Sequence, residues 1–347
     1  MIDKEEHKEE LFEHKKIVVD KGQTPLRIDK FLFTHIANST RTRIQYAAEA
    51  GNILVNNKPV KSSYKIKGDD VISIVLANPP KEINTLPENI PLDIIYEDED
   101  LLVINKKAGM VVHPAYGNYT GTLVNALLYY LSHDKKNDFA KMAAEQTNNV
   151  RPGLVHRLDK ETSGLIIVAK NELSLARLAK DMYDRKISRR YIALAWGVPK
   201  EAEGTVDVFI GRSLSDRKKM AAFPESNHGK NAVTHYKLLE NLKYVSVLEC
   251  KLETGRTHQI RVHMKYIGHT LFGDMDYGGD AILKSSTDGQ YKTMVEKCFQ
   301  ICKRQALHAR YLSFTHPTSK KLLEFEAPIP DDMESVIKSF RKYIENF

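Results

Sequence analysis

The chain has 347 residues, more than one hydrophobic core usually organises, and its 42% hydrophobic and 28% charged content excludes both a mini-protein and wholesale disorder. Lysine plus arginine (52) exceed aspartate plus glutamate (45) by +7, a balance that suits a polyanionic partner such as nucleic acid as well as a merely basic enzyme. Cys250, Cys298 and Cys302 are odd in number and lack CxxC spacing, which argues against a disulfide framework or zinc ribbon and for free thiols in a reducing cytoplasm.

Residues 1–20 read as a charged leader, a mobile arm or a surface helix, with no apolar stretch of the kind a secretory signal needs. Residues 21–76 read as a small module. Leu26, Ile28, Phe31, Leu32 and Ile36 recur at helical spacing, and Ser39 can cap a second helix ending at Gly51. Strand signals follow at 53–55 and 71–75, with a turn at Asn56-Asn57-Lys58-Pro59. Between Lys21 and Asp70 nine basic residues face four acidic ones, and Arg27, Lys30, Arg41 and Arg43 are placed to meet a phosphate backbone. A solvated basic face is the plainer alternative.

Residues 77–91 carry four prolines and read as an extended linker. In residues 92–330 strand-like runs dominate, at 93–96, 101–105, 154–158, 165–169, 191–196, 244–253 and 322–325. Helical stretches fall near 121–131, 171–184 and 257–267, and loop-like insertions near 133–149, 212–230 and 279–297. The fold class is α+β with a largely antiparallel mixed sheet, closed by a C-terminal helix in 331–347. The apolar runs are too short to span a bilayer, so no membrane partner is expected, and without a coiled-coil heptad the default is a monomer.

There is no phosphate loop, GxGxxG, GxSxG or HExxH, so nucleotide hydrolysis, hydride transfer and the commonest serine and zinc hydrolase plans lose their signatures. His258 and His263, and His308 and His316, lack the spacing of zinc helices. Asp274-Met-Asp-Tyr-Gly-Gly-Asp begins like a calcium loop but has Ser285 at the twelfth position, so it reads as a turn. Three segments remain. Gly153-Leu-Val-His-Arg-Leu-Asp-Lys-Glu-Thr-Ser-Gly reads as strand and turn and puts Asp159 where a strand runs out. Arg189-Arg-Tyr-Ile-Ala-Leu-Ala-Trp-Gly puts Tyr191 at the head of an alternating strand, and Thr254-Gly-Arg-Thr-His-Gln-Ile-Arg-Val-His turns at Gly255 into a helix bearing Arg256 and Arg261. Turn bracing, core packing and a solvated helix face are the bland readings of the three.

Together with Arg304-Gln-Ala-Leu-His-Ala, these segments resemble the RluA-type pseudouridine synthases over nearly the whole chain, and residues 21–76, through Arg27-Ile-Asp-Lys-Phe-Leu and Gly51-Asn-Ile-Leu-Val-Asn-Asn-Lys-Pro-Val, resemble the RNA-binding module of ribosomal protein S-four. The resemblance implies isomerisation of uridine within RNA to its C-glycoside, with no cofactor and no metal, and large-subunit ribosomal RNA as the favoured substrate. It makes Asp159 the carboxylate that acts as nucleophile or as base on a sugar proton, Arg256 the cation that keeps it charged, and Tyr191 the ring against the uracil. Leu307 becomes the apolar wall on the other face of the base, and Arg157 the side chain that fills the gap left by the flipped uridine. Arg212, Arg217, Lys218 and Lys219 would meet phosphates. Lys107, Ala195 and Thr270 depart from the family pattern without touching these groups. Transfer RNA as substrate, a noncatalytic ribosome-assembly factor and a uracil-releasing N-glycosylase are the alternatives.

Overall fold

The computed structural model describes residues 12–36, 40–76, 86–114, 117–132, 153–216, 218–225, 228–284, 286 and 289–346. The chain forms two compact units, residues 1–82 and 83–347.

In the first unit, helices α1 (Ile28–His35) and α2 (Arg41–Glu49) accompany a four-stranded sheet of order β1-β4-β2-β3, formed by β1 (Phe12–Val18), β2 (Ile53–Val55), β3 (Lys58–Pro59) and β4 (Val71–Leu76). Ile28, Phe31 and Leu32 of α1 and Ile44 and Ala48 of α2 bury one face against Ile53, Val55 and Ile72, the i, i+3, i+4 spacing turned into a core. Asn56 and Asn57, at φ of 50° and 64°, join β2 to β3 as a two-residue loop with both central residues left-handed, which asparagine tolerates best after glycine. Two expectations are corrected. The cap of α2 is Thr40, whose hydroxyl accepts from Arg43 N–H at 3.2 Å, while Ser39 lies outside the described residues. Part of the leader is strand: β1 pairs antiparallel with β4, Val18 opposite Val71. As an outermost strand it needs only backbone hydrogen bonds and a half-buried Ile17, so its exposed Lys15, Lys16 and Val18 gave no apolar alternation to read. Residues 1–11 lie outside the described region.

Of the linker, 77–85 also falls outside; Leu86 and Glu88 are tied to α3 (Leu123–Ser132), Asn125 Nδ2 donating to Leu86 O at 2.8 Å and Glu88 N–H to Asn125 O at 3.0 Å. The second unit is built on a ten-stranded sheet. Its strands are β5 (Ile94–Glu97), β6 (Leu101–Lys106), β7 (Ser163–Ala169), β8 (Ser188–Trp196), β9 (Glu203–Arg212), β10 (Met220–Phe223), β11 (Lys230–Leu242), β12 (Val245–Leu252), β13 (Leu307–Thr315) and β14 (Leu322–Glu326). The order is β10-β9-β11-β12-β8-β13-β7-β6-β5, with β14 on β13, and every pairing is antiparallel except β13 with β7. The period of two along β8 divides the unit: Tyr191, Ala193 and Ala195 enter one core with Leu307 and Ile260, and Ile192, Leu194 and Trp196 enter the other. The second core is closed by α6 (Gly289–Ile301) and α7 (Asp331–Asn346) through Val295, Val336 and Phe340. Helices α4 (Glu172–Tyr183) and α5 (Gln259–Tyr266) complete the described set. Cys250, Cys298 and Cys302 are all free and buried in this unit.

The expected strand at 154–158 is absent. Leu154 makes one isolated bridge to Val168, and Ile167 N–H is taken by the His156 ring, Nε2 at 3.1 Å, where a ladder carbonyl would otherwise accept. The expected insertion at 279–297 contains most of α6, whose Tyr291, Val295 and Cys298 repeat at i, i+4, i+7. That at 212–230 holds β10, and 133–149 lies outside the described residues.

Candidate active site

Asp159 stands on the irregular segment before β7, in a turn closed by Thr162 N–H on Asp159 O at 3.1 Å. Three neighbours hold that turn. Lys106, at the end of β6 and 1% exposed, gives its three ammonium protons to the carbonyls of Lys107, Met110 and Lys160 at 2.8, 2.9 and 3.1 Å. Burial draws its pKa down to about 7, and the nearby Glu161 and Asp159 carboxylates oppose that shift. From the other side Arg304 donates to Glu161 O at 3.0 Å and Gln305 to Thr162 Oγ1 at 3.2 Å.

The cation beside Asp159 is Arg261. Its Nη1 lies 3.5 Å from Asp159 Oδ2, and its side chain is 4% exposed. Three carboxylates share this guanidinium: Asp274, fully buried, takes Nε and Nη2 at 2.7 Å each, and Asp276 takes Nη2 at 2.6 Å. Burial pulls the Arg261 pKa down, but the three carboxylates overcome it and the pKa is raised. Arg256 does not fill the role expected of it. It precedes α5, its Nε donates to Asn231 O at 3.1 Å, and its N–H donates to Gln259 Oε1 at 2.9 Å. Both arginines line the cavity, but the turn between them, with His258 at φ 56°, brings only the helical one to the carboxylate among the described residues. Gln259 fixes that turn with four hydrogen bonds, to Thr254, Arg256, Val233 and Thr234.

Asp159, Tyr191, Leu307, Arg157 and Arg256 all line one cavity of about 660 Å³. Tyr191 is 5% exposed; burial raises its phenol pKa, Arg189 lowers it and Asp159 raises it. Leu307 is 4% exposed and Arg157 is exposed at the rim. The predicted polyanion contacts divide differently. Arg27 and Arg41 both bond the buried Asp29, at 3.0 Å each, while keeping 40% and 45% of their side chains exposed. Lys30 and Arg43 are exposed on α1 and α2. Arg212, the last residue of β9, and Lys218, in the loop to β10, are exposed, Lys219 is half-buried, and Arg217 lies outside the described residues.

Sequence reasoning missed Lys106, Arg304 and Asp274, and chose the wrong arginine of its third segment. The signal for Asp274 was present in the stretch read as a turn: two aspartates at i and i+2 beside Gly278 and Gly279 can converge on one cation. One group of potential metal ligands, Asp98, Asp100 and His316, occurs among the described residues. His316 Nδ1 accepts from the Thr318 and Ser319 N–H groups at 3.1 and 3.0 Å, which leaves the proton on Nε2, 2.8 Å from Asp98 Oδ2. A ring arranged in that way donates to a carboxylate and offers no lone pair to a cation. No helix among the described residues is long and apolar enough to cross a membrane.

The RNA pseudouridylate synthase family model matches residues 100–266, and the S4 domain model matches residues 26–72. A Chlorobaculum parvum protein described as an uncharacterized RNA pseudouridine synthase is 47% identical over 324 residues, 93% of this chain and 96% of its own. The Zymomonas mobilis protein named ribosomal large subunit pseudouridine synthase D is 43% identical over 314 residues, 90% of this chain and 93% of its own. The solved structure of human RNA pseudouridylate synthase domain containing 4 shares the fold, with a TM-score of 0.55 at 23% identity over 72% of this chain and 92% of that one.

Proposed function

The chain belongs to the RluA-type pseudouridine synthases and carries an S4 domain, and from that premise we propose that it isomerises uridines of large-subunit ribosomal RNA, as a monomer in the cytoplasm, with Asp159 as the reacting carboxylate. The reaction breaks the bond from ribose C1′ to uracil N1, turns the base and rejoins it through C5. An ionised carboxylate beside the sugar is needed, as nucleophile at C1′ or as base on a sugar proton.

The observation that carries this reading is the asymmetry of the Arg261 cluster. The guanidinium is seated by Asp274 and Asp276 at 2.6 to 2.7 Å, and Asp159 lies farther off at 3.5 Å. A cation therefore stands beside the Asp159 carboxylate in the cavity without the tight, doubly bonded geometry that would quench it as a nucleophile or base. In this reading Tyr191 and Leu307 hold the two faces of the uracil, and Arg157 at the rim enters the gap left in the RNA. Arg261 replaces Arg256 as the cation that keeps Asp159 charged. The ribosomal target is supported by the name of the Zymomonas relative and by the exposed arginine heads of the S4 domain.

Tritium release from large-subunit ribosomal RNA transcribed with uridine labelled at C5 tests both parts. Release by the wild type and none by Asp159→Asn is the expected result. Residual release by the variant removes Asp159 from the reaction, and release only from transfer RNA moves the target. Free uracil in the mixture would mark a glycosylase, and no release despite tight RNA binding an assembly factor.

A further inference from the structure

Five arginines line the cavity, and four of them are accounted for. Arg261 is seated among carboxylates, Arg185 pairs with Glu253 at 2.7 Å, Arg256 bonds Asn231 O, and Arg157 is exposed to water. Arg189 is different. It is 7% exposed, and among the described residues its guanidinium has neither an ion pair nor a hydrogen bond; Nε is buried without a partner. A buried cation in that state is unfavourable unless something else supplies the charge.

The local fold maintains the arrangement. Along β8 the pleat sends Arg190 to the opposite face, where it pairs with Glu249 at 3.3 Å and lies 3.7 Å over the Tyr311 ring, while Arg189 and Tyr191 face the cavity together. Gly255 leaves room for the guanidinium: a Cβ there would come within 3.0 Å of Arg189 Nη1, although the backbone of Gly255 is not left-handed. His156, on the same cavity wall, has its Nε2 occupied by Ile167 N–H, so its buried and unpartnered Nδ1 carries a proton. This part of the wall therefore presents a ring N–H and a guanidinium that no described residue hydrogen-bonds or pairs, in a cavity whose carboxylates, Asp159 and Glu253, are engaged by Arg261 and Arg185.

We propose that Arg189 is a phosphate-binding residue, which takes the phosphodiester adjoining the uridine drawn into the cavity and so sets the depth at which that nucleotide sits. The inference rests on the reading that the target uridine enters this cavity. A phosphodiester fits because it brings a full negative charge and two acceptor oxygens, which the planar fork of an arginine matches. A uracil carbonyl would leave the charge uncompensated. The departing base is anionic only in passing, so it would leave Arg189 unpaired in the resting complex.

The test uses the full-length protein carrying Asp159→Asn, so that binding is read without turnover, and a synthetic RNA stem-loop centred on a uridine mapped by tritium release. Phosphodiester and neutral methylphosphonate forms of the linkages 5′ and 3′ of that uridine are compared. One of the two neutral linkages is expected to weaken binding about tenfold in this protein and to leave the additional Arg189→Met variant unchanged, itself already about tenfold weaker, with Arg189→Lys recovering most of the loss. In the enzyme with Asp159 restored, Arg189→Met should raise KM and spare kcat. Its melting temperature in the absence of RNA should hold or rise, because an unpartnered buried charge has been removed, whereas a merely structural arginine would lower it. Multiplying losses in the cycle, or a loss confined to kcat, overturns the proposal. Tritium release that survives Asp159→Asn instead overturns the cavity reading beneath it.

Discussion

Each unit of the molecule is organised round an arginine–carboxylate cluster, and the two clusters are inverted copies of each other. In the S4 domain one fully buried carboxylate, Asp29, gathers Arg27, Arg41 and Gln45, whose arginine heads stay 40% and 45% exposed. In the catalytic unit one buried guanidinium, Arg261, gathers Asp159, Asp274 and Asp276. In the proposed reading the buried member anchors and outlying members are offered: the Arg27 and Arg41 heads to RNA in one case, the Asp159 carboxylate to the uridine in the other. The difference also separates what each cluster can lose. Exposed arginines deprived of Asp29 relax into water, but Asp274, 0% exposed, has no such recourse without Arg261.

The largest effect is therefore expected from Arg261→Met. It should lower stability by about 4 kcal/mol and turnover by more than about a hundredfold, read by denaturant unfolding and tritium release. Stability within 1 kcal/mol of wild type, by that ~4 kcal/mol standard, would show that Asp274 is not an uncompensated charge.

Acid should split the two units. Burial holds His263 and His308 down to about 4, below their unfolded value. Above pH ~6.5 both are neutral folded or unfolded; as pH falls toward 4 only the unfolded chain takes up protons. The catalytic unit should lose up to about 3 kcal/mol per histidine in that window. Asp29, held below the usual carboxylate range by Arg27, Gln45 and Arg41 against the opposing effect of burial, keeps its contribution until pH falls below its unfolded value and through its lower folded one. Near-ultraviolet dichroism of the lone Trp196, in the catalytic unit, should fade at higher pH than exchange protection in α1 and α2; coincident transitions would contradict the division.

Asp29→Ala should cost about 2 kcal/mol in the S4 domain, read by exchange protection of α1 and α2, and spare kcat on a saturating substrate. The smallest effect belongs to Arg41→Gln, which should weaken ribosomal RNA binding a few fold, by about 1 kcal/mol or less, and reduce its salt dependence by about one contact. An unchanged salt slope would return that arginine to a purely structural role.

Most of the candidate site was legible because its residues sit in long, unusual segments whose order along the chain resembles the family's. Asp159, Tyr191 and Leu307 indeed line a single cavity. The choice between Arg256 and Arg261 was not legible, since it depends on a left-handed His258 and on where α5 begins, and two arginines at i and i+5 carry neither. β1 was hidden because a charged outer strand shows no apolar alternation, and the irregular approach to Asp159 because a histidine side chain replaces a ladder carbonyl. Arg189 and Arg190 are adjacent and alike in the sequence, and only the pleat of β8 reveals that one is paired outside and the other left bare within.

The three cysteines give the molecule a built-in clock. All are sealed in the catalytic unit, and burial raises their thiol pKa values, to about 12 for Cys250 and about 11 for Cys298 and Cys302, so at neutral pH hardly any thiolate exists to react with an alkylating reagent. Labelling must then wait for this unit to open, while opening of the S4 domain leaves no mark. The mass added over time counts excursions of one unit of the protein, with no engineered probe, and any RNA that closes the catalytic unit should slow the count.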